Sequence, residues 1–203
     1  MKLSHSLLAV AGLIVAVPQT QAHFRLLEPA GWIEEDRLGD PQKAGPCGGL
    51  MTNPGKPTGV ITRVQGGEKL HIKIQETVYH PGFYRVALAV NSRDELPKDP
   101  EAKVEMRPNG PWSITGAITY PPLPPVLADG LFRHISPFDK ERETDVEMPN
   151  INCAKCTLQV VQFMANHGLN KEGDYTYHHC ADLNIRANPY KPMDTRFPAE
   201  KTK

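Results

Sequence analysis

The stretch EKLHIKIQE, Glu68–Glu76, shows the periodicity that decides the fold class of this chain. Leu70, Ile72 and Ile74 occupy every second position, and polar residues fill the positions between them. Alternation with a period of two places the apolar side chains on one face of a β-strand and the polar side chains on the other. The segment is therefore predicted to be a strand with one face on a hydrophobic core.

Similar runs, rich in β-branched and aromatic residues, recur along the chain between turn residues. They are Thr58–Val64, Phe83–Val90, Trp112–Thr119, Thr144–Met148, Cys156–Ala165 and Asp174–Ala187. Gly66-Gly67 predicts a hairpin between the first of these runs and Glu68–Glu76, and a short helical turn is expected within 91–102. About seven or eight short strands with polar turns predict an all-β fold, an antiparallel β-sandwich of the immunoglobulin or fibronectin type with long loops.

Residues 1–22 have the composition of a secretory signal peptide. Lys2 supplies a positive start, and the apolar run over residues 7–17 is shorter than the ~20 residues that a membrane span needs. Thr20-Gln21-Ala22 approximates the small-x-small pattern of a cleavage site. Cleavage there would make His23 the first residue of an exported protein, secreted or periplasmic. The alternative, an uncleaved amphipathic anchor, is disfavoured because no second apolar stretch follows.

After the signal peptide, residues 23–187 are expected to form one domain, and residues 188–203, charged and Pro-containing, a flexible C-terminal tail. The whole chain has 203 residues, with 23 Lys and Arg against 23 Asp and Glu. Loss of Lys2 with the signal peptide changes this to 22 against 23, a formal charge of −1. This balance, without a basic block, argues against a nucleic-acid partner. No long apolar stripe indicates a dimer, so a monomer is expected.

The chain has 4 cysteines, Cys47, Cys153, Cys156 and Cys180, and all follow the signal segment. An even number in an exported protein predicts two disulfides, with three possible pairings. The Cys153-Ala-Lys-Cys156 spacing would also suit a zinc or redox pair, but a zinc site needs a second pair nearby and a redox motif needs a βαβ context. We expect Cys153 or Cys156 to bond to Cys180, and the other to Cys47.

His23, once at the N-terminus, could bind a metal through two nitrogens of one residue, its α-amine and its imidazole Nδ1. One further imidazole would complete three nitrogen ligands, a set that suits tetragonal copper. The reference pKa of the amine, about 7.7–8.0, makes its deprotonation easy near neutral pH. The alternative is that export leaves a histidine at this position by chance.

His80 is the expected second imidazole. Pro81-Gly82 follows it and predicts a turn, which would place His80 on a loop at the edge of the sandwich, although a merely exposed turn residue is the alternative. His71 belongs to the polar face of its strand and is expected to be exposed. His134 and His167 lie in loop-like sequence and are not expected to be ligands.

The stretch YTYHHCADLNI, Tyr175–Ile185, carries the remaining candidates. In a strand, Tyr177 and His179 share one face, while His178 and Cys180 share the other. Tyr177 could lie below a metal as a weak axial group, or could simply be a packed aromatic residue. His178 and His179 could be ligands, hydrogen-bond partners of ligands, or substrate contacts.

The order of these motifs resembles that of the lytic polysaccharide monooxygenases and their relatives. The resemblance begins with a signal that ends just before His23 and extends to about Ile185. Its motifs are HFRLLEP at 23–29, GPCGG at 45–49, HPG at 80–82 followed by aromatic residues, CAKCTLQVVQF at 153–163 and YHHCADLNI at 177–185.

The resemblance implies an immunoglobulin-like β-sandwich with a copper histidine brace. His23 would bind copper through its amine and ring, His80 would supply the other equatorial nitrogen, and Tyr177 would be axial. His179 and Gln162 are expected to lie behind these ligands. In such enzymes copper, an external electron donor and O2 or H2O2 oxidise a C–H bond beside a glycosidic oxygen, which breaks a chitin- or cellulose-like polysaccharide.

Two other functions stay open. The HFRLLEP and GPCGG segments also resemble a fungal group that keeps the fold and the N-terminal histidine but binds copper for acquisition. A secreted carbohydrate-binding or adhesion module would have no metal at all. Trp32 and Trp112 are candidates for an exposed sugar platform and equally for the core.

Overall fold

The computed structural model describes residues 23–201, which form ten β-strands, one 3₁₀ turn at Arg93–Glu95 and no α-helix. The strands are β1 (His23–Glu28), β2 (Ile61–Gln65), β3 (Lys69–Val78), β4 (Gly82–Ala89), β5 (Ala102–Arg107), β6 (Gly110–Gly116), β7 (Val126–His134), β8 (Arg142–Glu147), β9 (Cys153–Met164) and β10 (Thr176–Arg186). Within this range no helix is long and apolar enough to cross a membrane. The predicted signal peptide lies outside the described residues.

Two sheets enclose the main core. A three-stranded sheet has the order β1-β3-β8, and a five-stranded sheet has the order β2-β10-β9-β4-β7. Leu70, Ile72 and Ile74 of β3 point inward and meet apolar residues of the larger sheet, such as Val86 and Leu158. Neighbouring strands of both sheets are antiparallel except for β10 and β2, which are parallel. The predicted all-β sandwich is confirmed.

The hairpin predicted at Gly66-Gly67 is wrong. β2 and β3 belong to different sheets, and the amide of Gly66 donates to the carbonyl of Arg186 at the end of β10. Gly67 has a φ of +72°, so the glycine pair does make a sharp turn. The turn carries the chain from one sheet to the other, a distinction that turn residues alone do not encode.

The disulfide pairing also differs from the expectation: Cys47 bonds to Cys180, and Cys153 bonds to Cys156. The register of β9 and β10 explains why. Cys153 and Cys156 lie opposite Ile185 and Leu183, farther along β10 than Cys180. Cys180 instead contacts the loop that carries Cys47, where its sulfur lies 3.7 Å from the carbonyl of Pro46.

Residues 188–201, expected to be a flexible tail, pack against the sandwich. Phe197 is buried and belongs to the main core cluster. The side-chain amide of Asn150 donates to the carbonyls of residues 188, 191 and 192, and the amide of Lys201 donates to Asn91. The composition of this segment is that of a tail, but one aromatic side chain and a set of backbone hydrogen bonds hold it in place.

Candidate metal centre

Three strand ends bring His23, His80 and Tyr177 to one edge of the sandwich. His23 begins β1 and pairs with Val78 near the end of β3, two residues before His80. Tyr177 lies at the start of β10, and its ring packs edge-on against the His23 ring with centroids 5.4 Å apart. Each of these residues is more than fifty positions from the next in the sequence. Strand pairing brings His23 beside Val78, and ring packing brings it beside Tyr177.

Asp40 fixes the orientation of the His23 ring. Its Oδ2 atom lies 3.0 Å from Nε2 of His23, and the hydrogen bond from His23 lowers the pKa of the Asp40 carboxyl. The Asp40 loop is itself ordered, since Asp36 accepts hydrogen bonds from the amides of residues 38, 39 and 40. An ionised carboxylate only accepts, so Nε2 of His23 carries a proton, and Nδ1 holds the lone pair in the neutral ring.

His80 has the opposite arrangement of ring nitrogens. Its Nδ1 lies 2.7 Å from the carbonyl oxygen of Tyr79, and a carbonyl accepts but cannot donate. Nδ1 therefore carries the proton, and Nε2 holds the lone pair. Burial lowers the pKa of His80 to about 4, with a further contribution from His167 nearby, so the ring is neutral at physiological pH.

His167 lies next to His80, a contact that no sequence motif predicts. The centroids of the two rings are 4.6 Å apart, and the ring planes are inclined by 63°. The amide of His167 donates to Oγ of Ser113 on β6, and its carbonyl accepts from the Ser113 amide. A solitary histidine in a loop carries no motif, and only the contact between this loop and the His80 turn reveals it.

A buried carboxylate, Glu76, connects the expected residue Gln162 to the site. Oε1 of Glu76 accepts from Nε2 of Gln162 at 3.3 Å and from the backbone amide of His80 at 3.3 Å. It also lies 3.0 Å from Nε2 of His134. Gln162 pairs directly with Tyr177 across β9 and β10. Gln162 and His134 thus contact the carboxylate that holds the His80 backbone.

His179 lies behind β1. Its Nε2 donates to the carbonyl oxygen of Phe24 at 3.0 Å, and its ring packs edge-on against the Phe24 ring at a centroid distance of 4.6 Å. On its other side, Nδ1 lies 3.1 Å from Oε1 of Glu35. His179 thus supports the residue that follows His23, through the backbone.

His178, Trp32 and Trp112 contact residues outside the candidate metal centre. Nε2 of His178 lies 2.8 Å from a carboxylate oxygen of Asp99, on the opposite face of β10 from Tyr177. Trp32 and Trp112 are half-buried, and the guanidinium groups of Arg93 and Arg107 lie over their rings. His71 is exposed beside Asp145, as its place on the polar face of β3 predicts.

The donor set would suit a copper brace if the chain were cleaved before His23. Among residues 23–201, no group of three or more His, Cys, Asp or Glu side chains is arranged to hold a metal ion. A brace requires only two side chains, because the third nitrogen is the α-amine that cleavage before His23 would create. Neutral imidazole and amine nitrogens are ligands that copper prefers.

No family model and no curated protein matches this chain. Among solved structures, one match is "Lytic Polysaccharide Monooxygenase AA15 from Thermobia domestica in the Cu(I) State". The two are 16% identical, with a TM-score of 0.40, and the match covers 64% of this chain. The chain spans 65% of the length of that protein, a little under two thirds. The match is to the family that the sequence motifs resemble.

Proposed function

We propose that this chain is exported, cleaved after Ala22, and binds one copper ion between His23 and His80 to cleave a polysaccharide oxidatively. The observation that carries the proposal is the pair of tautomers. Asp40 leaves the lone pair of His23 on Nδ1, the ring nitrogen that can chelate together with its own amine. The carbonyl of Tyr79 leaves the lone pair of His80 on Nε2, the outer nitrogen of a loop residue.

The surrounding residues prepare these nitrogens for a metal. Burial keeps His80 neutral, so a metal ion does not have to displace a proton from it near pH 7. Burial also raises the pKa of Tyr177, so that its phenol stays protonated against the His23 ring as a weak axial neighbour. Asp40 and Glu76 hold the two ligand residues from behind. Bound copper would supply one-electron redox chemistry, using an external electron donor and O2 or H2O2.

One observation favours a second function, copper acquisition or delivery without catalysis. Trp32 and Trp112, the candidates for a sugar platform, are half-buried beneath Arg93 and Arg107. An arginine therefore covers one face of each ring on which a pyranose would otherwise stack. The same brace would bind copper in such a protein, and no sugar would be oxidised.

The test begins with the natively exported protein. Mass spectrometry should show a chain that starts at His23 and holds one copper ion. Addition of one glycine before His23 should lower the copper affinity strongly, because the amine would no longer belong to the chelating histidine. His80→Ala should have a similar effect, and His71→Ala, at an exposed position, should have none. Unchanged affinity of the extended chain would reject the brace.

Activity assays on insoluble glycans then distinguish oxidative cleavage from copper acquisition or delivery and from carbohydrate binding. With ascorbate and O2 or H2O2, the copper form should release oxidised oligosaccharides from insoluble chitin or cellulose, and His80→Ala should not. Tight copper binding without such products would support acquisition or delivery. Binding to the glycan in the absence of copper, together with no specific metal binding, would support a carbohydrate-binding module.

A further inference from the structure

A cavity of about 560 Å³ lies on the outer face of the five-stranded sheet. Gln159 of β9 and Thr176 of β10 line it, together with the loop residues Pro46 and Asp99. Thr176 precedes Tyr177 on β10, and successive residues of a strand point to opposite faces, so the cavity and the candidate metal centre are on different faces of β10. Its volume is within the range of about 300–1,000 Å³ that is typical of small-molecule sites.

Gln159 has one buried polar atom without a partner. Leu158 and Val160 on either side of it belong to the main core, so Gln159 points outward, yet it is only 1% exposed. Its Nε2 donates to the carbonyl oxygen of Pro46 at 2.8 Å, which fixes the orientation of the amide because a carbonyl only accepts. The acceptor Oε1 remains, and it has no hydrogen-bond partner among residues 23–201. Such an atom is costly unless a bound molecule supplies a donor.

A second acceptor, the carboxylate of Asp99, is held in place at the same cavity. Its Oδ1 lies 2.8 Å from Nε2 of His178, and its Oδ2 lies 2.7 Å from Oγ1 of Thr176. Burial works against the charge of Asp99, but these hydrogen bonds outweigh it and lower the pKa of the carboxyl. Asp99 is therefore ionised near neutral pH, and each of its oxygens can accept a further hydrogen bond.

The rim of the cavity is more acidic than basic. Glu101 and Asp174 are exposed on it, with Lys98 as the accompanying cation. Together with Asp99 the lining has three carboxylates and one ammonium group, a formal charge of −2. Tyr175 and three prolines supply apolar surface to the same lining. Negative charge and hydrogen-bond acceptors thus face a partly apolar cavity, a combination that suits a cation with several donors.

We propose that this cavity binds a small primary amine in its protonated form, which donates to Oε1 of Gln159 and has its charge balanced by Asp99. An ammonium group has three donors and no acceptor, so it matches a lining whose unpartnered atom accepts. A buried charge also requires an opposite charge nearby, which Asp99 provides. An amino sugar and an aliphatic diamine both offer this chemistry. The proposal does not depend on the proposed copper site, since neither His23 nor His80 lines the cavity.

Titration calorimetry of the natively exported protein with glucosamine, putrescine and glucose tests the proposal. The protein is first dialysed against EDTA, because a free amine could otherwise bind to a metal ion. We expect an amine to bind, glucose not to bind, and the side-chain amide resonances of Gln159 to shift in NMR spectra. Binding of glucosamine alone would identify an amino sugar, and binding of putrescine alone an aliphatic amine. Binding of glucose as tight as that of the amines, an unmoved Gln159 resonance, or no binding of either amine would overturn the proposal.

Variants test the two parts of the lining separately. Gln159→Leu removes Oε1 and should weaken amine binding by roughly tenfold or more. The double variant Glu101→Gln with Asp174→Asn changes only exposed positions and should weaken it by about threefold or more. Asp139→Asn removes a carboxylate that is 81% exposed and outside the cavity, and should leave the affinity as it is. Should Gln159→Leu fail to fold, the double variant decides, and unchanged affinity in it would overturn the proposal.

Discussion

The carboxyl oxygen Oε1 of Glu35 lies 3.1 Å from Nδ1 of His179, and both side chains are almost completely buried. Because Nε2 of His179 donates to the carbonyl of Phe24, Nδ1 holds the lone pair in the neutral ring. Burial raises the pKa of Glu35 to about 8 and lowers the pKa of His179 to about 4. Between these pH values an uncharged acid and an uncharged base therefore face each other behind β1.

This pair predicts a loss of stability in mildly alkaline solution. The pKa of Glu35 is higher in the folded chain than in the unfolded chain, so its stabilising contribution is complete below about pH 4.5 and is lost as the pH rises through about 8. His179 adds only a small slope of opposite sign, about 0.4 kcal/mol, because the unfolded ring loses its remaining proton just above pH 6.5. Between pH 6.5 and 8 we expect the free energy of unfolding to fall by about 2 kcal/mol because of Glu35.

Glu35→Gln should remove this slope. Urea denaturation at pH 6.5 and at pH 8 measures it directly. Glu34→Gln is the matched control, because Glu34 is the exposed neighbour, paired with Lys56 at the surface. Parallel stability curves for Glu35→Gln and the unmodified protein would show that Glu35 is already ionised at neutral pH.

Asp40 provides a prediction about metal affinity. Removal of its carboxylate in Asp40→Ala leaves Nε2 of His23 without the acceptor that sets its tautomer. We expect the copper affinity to fall about 10–100-fold, as is typical when the hydrogen-bond partner of a ligand histidine is removed. Competition titration against a chelator measures the change. Asp139→Ala removes a carboxylate that is 81% exposed and should leave the affinity as it is.

The sequence predicted what depends on local pattern. β3 was predictable because its inner face is apolar at every second residue and its outer face is polar. β7 was missed because Asp129-Gly130, a turn signal, lies inside the strand. His23, His80 and Tyr177 were predicted from short motifs. His167, Asp40 and Glu76 were not, because nothing in a loop histidine or a single carboxylate indicates which distant segment it will contact.

The disulfide pairing was unpredictable for a related reason, and it leads to a prediction of its own. The Cys47–Cys180 bond closes a loop with a sequence separation of 133, against 3 for Cys153–Cys156. In the chain-entropy description, the long loop is worth about 5 kcal/mol and the short one about 2 kcal/mol. The double replacement of Cys47 and Cys180 by Ser should therefore destabilise the protein more than the same replacement of Cys153 and Cys156.

Thermal unfolding of the two double variants measures this difference, and peptide mapping without reductant checks the pairing itself. A peptide that joins residue 47 to residue 153 or 156 would contradict the structure. Cys180 lies three residues after Tyr177 on β10, so loss of the long-range bond should also weaken copper binding. Loss of the bond between Cys153 and Cys156 should not, since it lies at the other end of β9 from the residues near Tyr177.

The C-terminal segment gives the last prediction. Phe197 is 7% exposed and packs in the main core, whereas Tyr190 in the same segment is 95% exposed. Phe197→Ala should therefore leave a cavity and lower the free energy of unfolding by about 3–5 kcal/mol. Tyr190→Ala should change it by less than about 0.5 kcal/mol. Denaturant titration of the two variants distinguishes an anchored segment from a loose one. In a loose tail neither aromatic side chain would contribute to stability, and both variants would unfold at the same denaturant concentration as the unmodified protein.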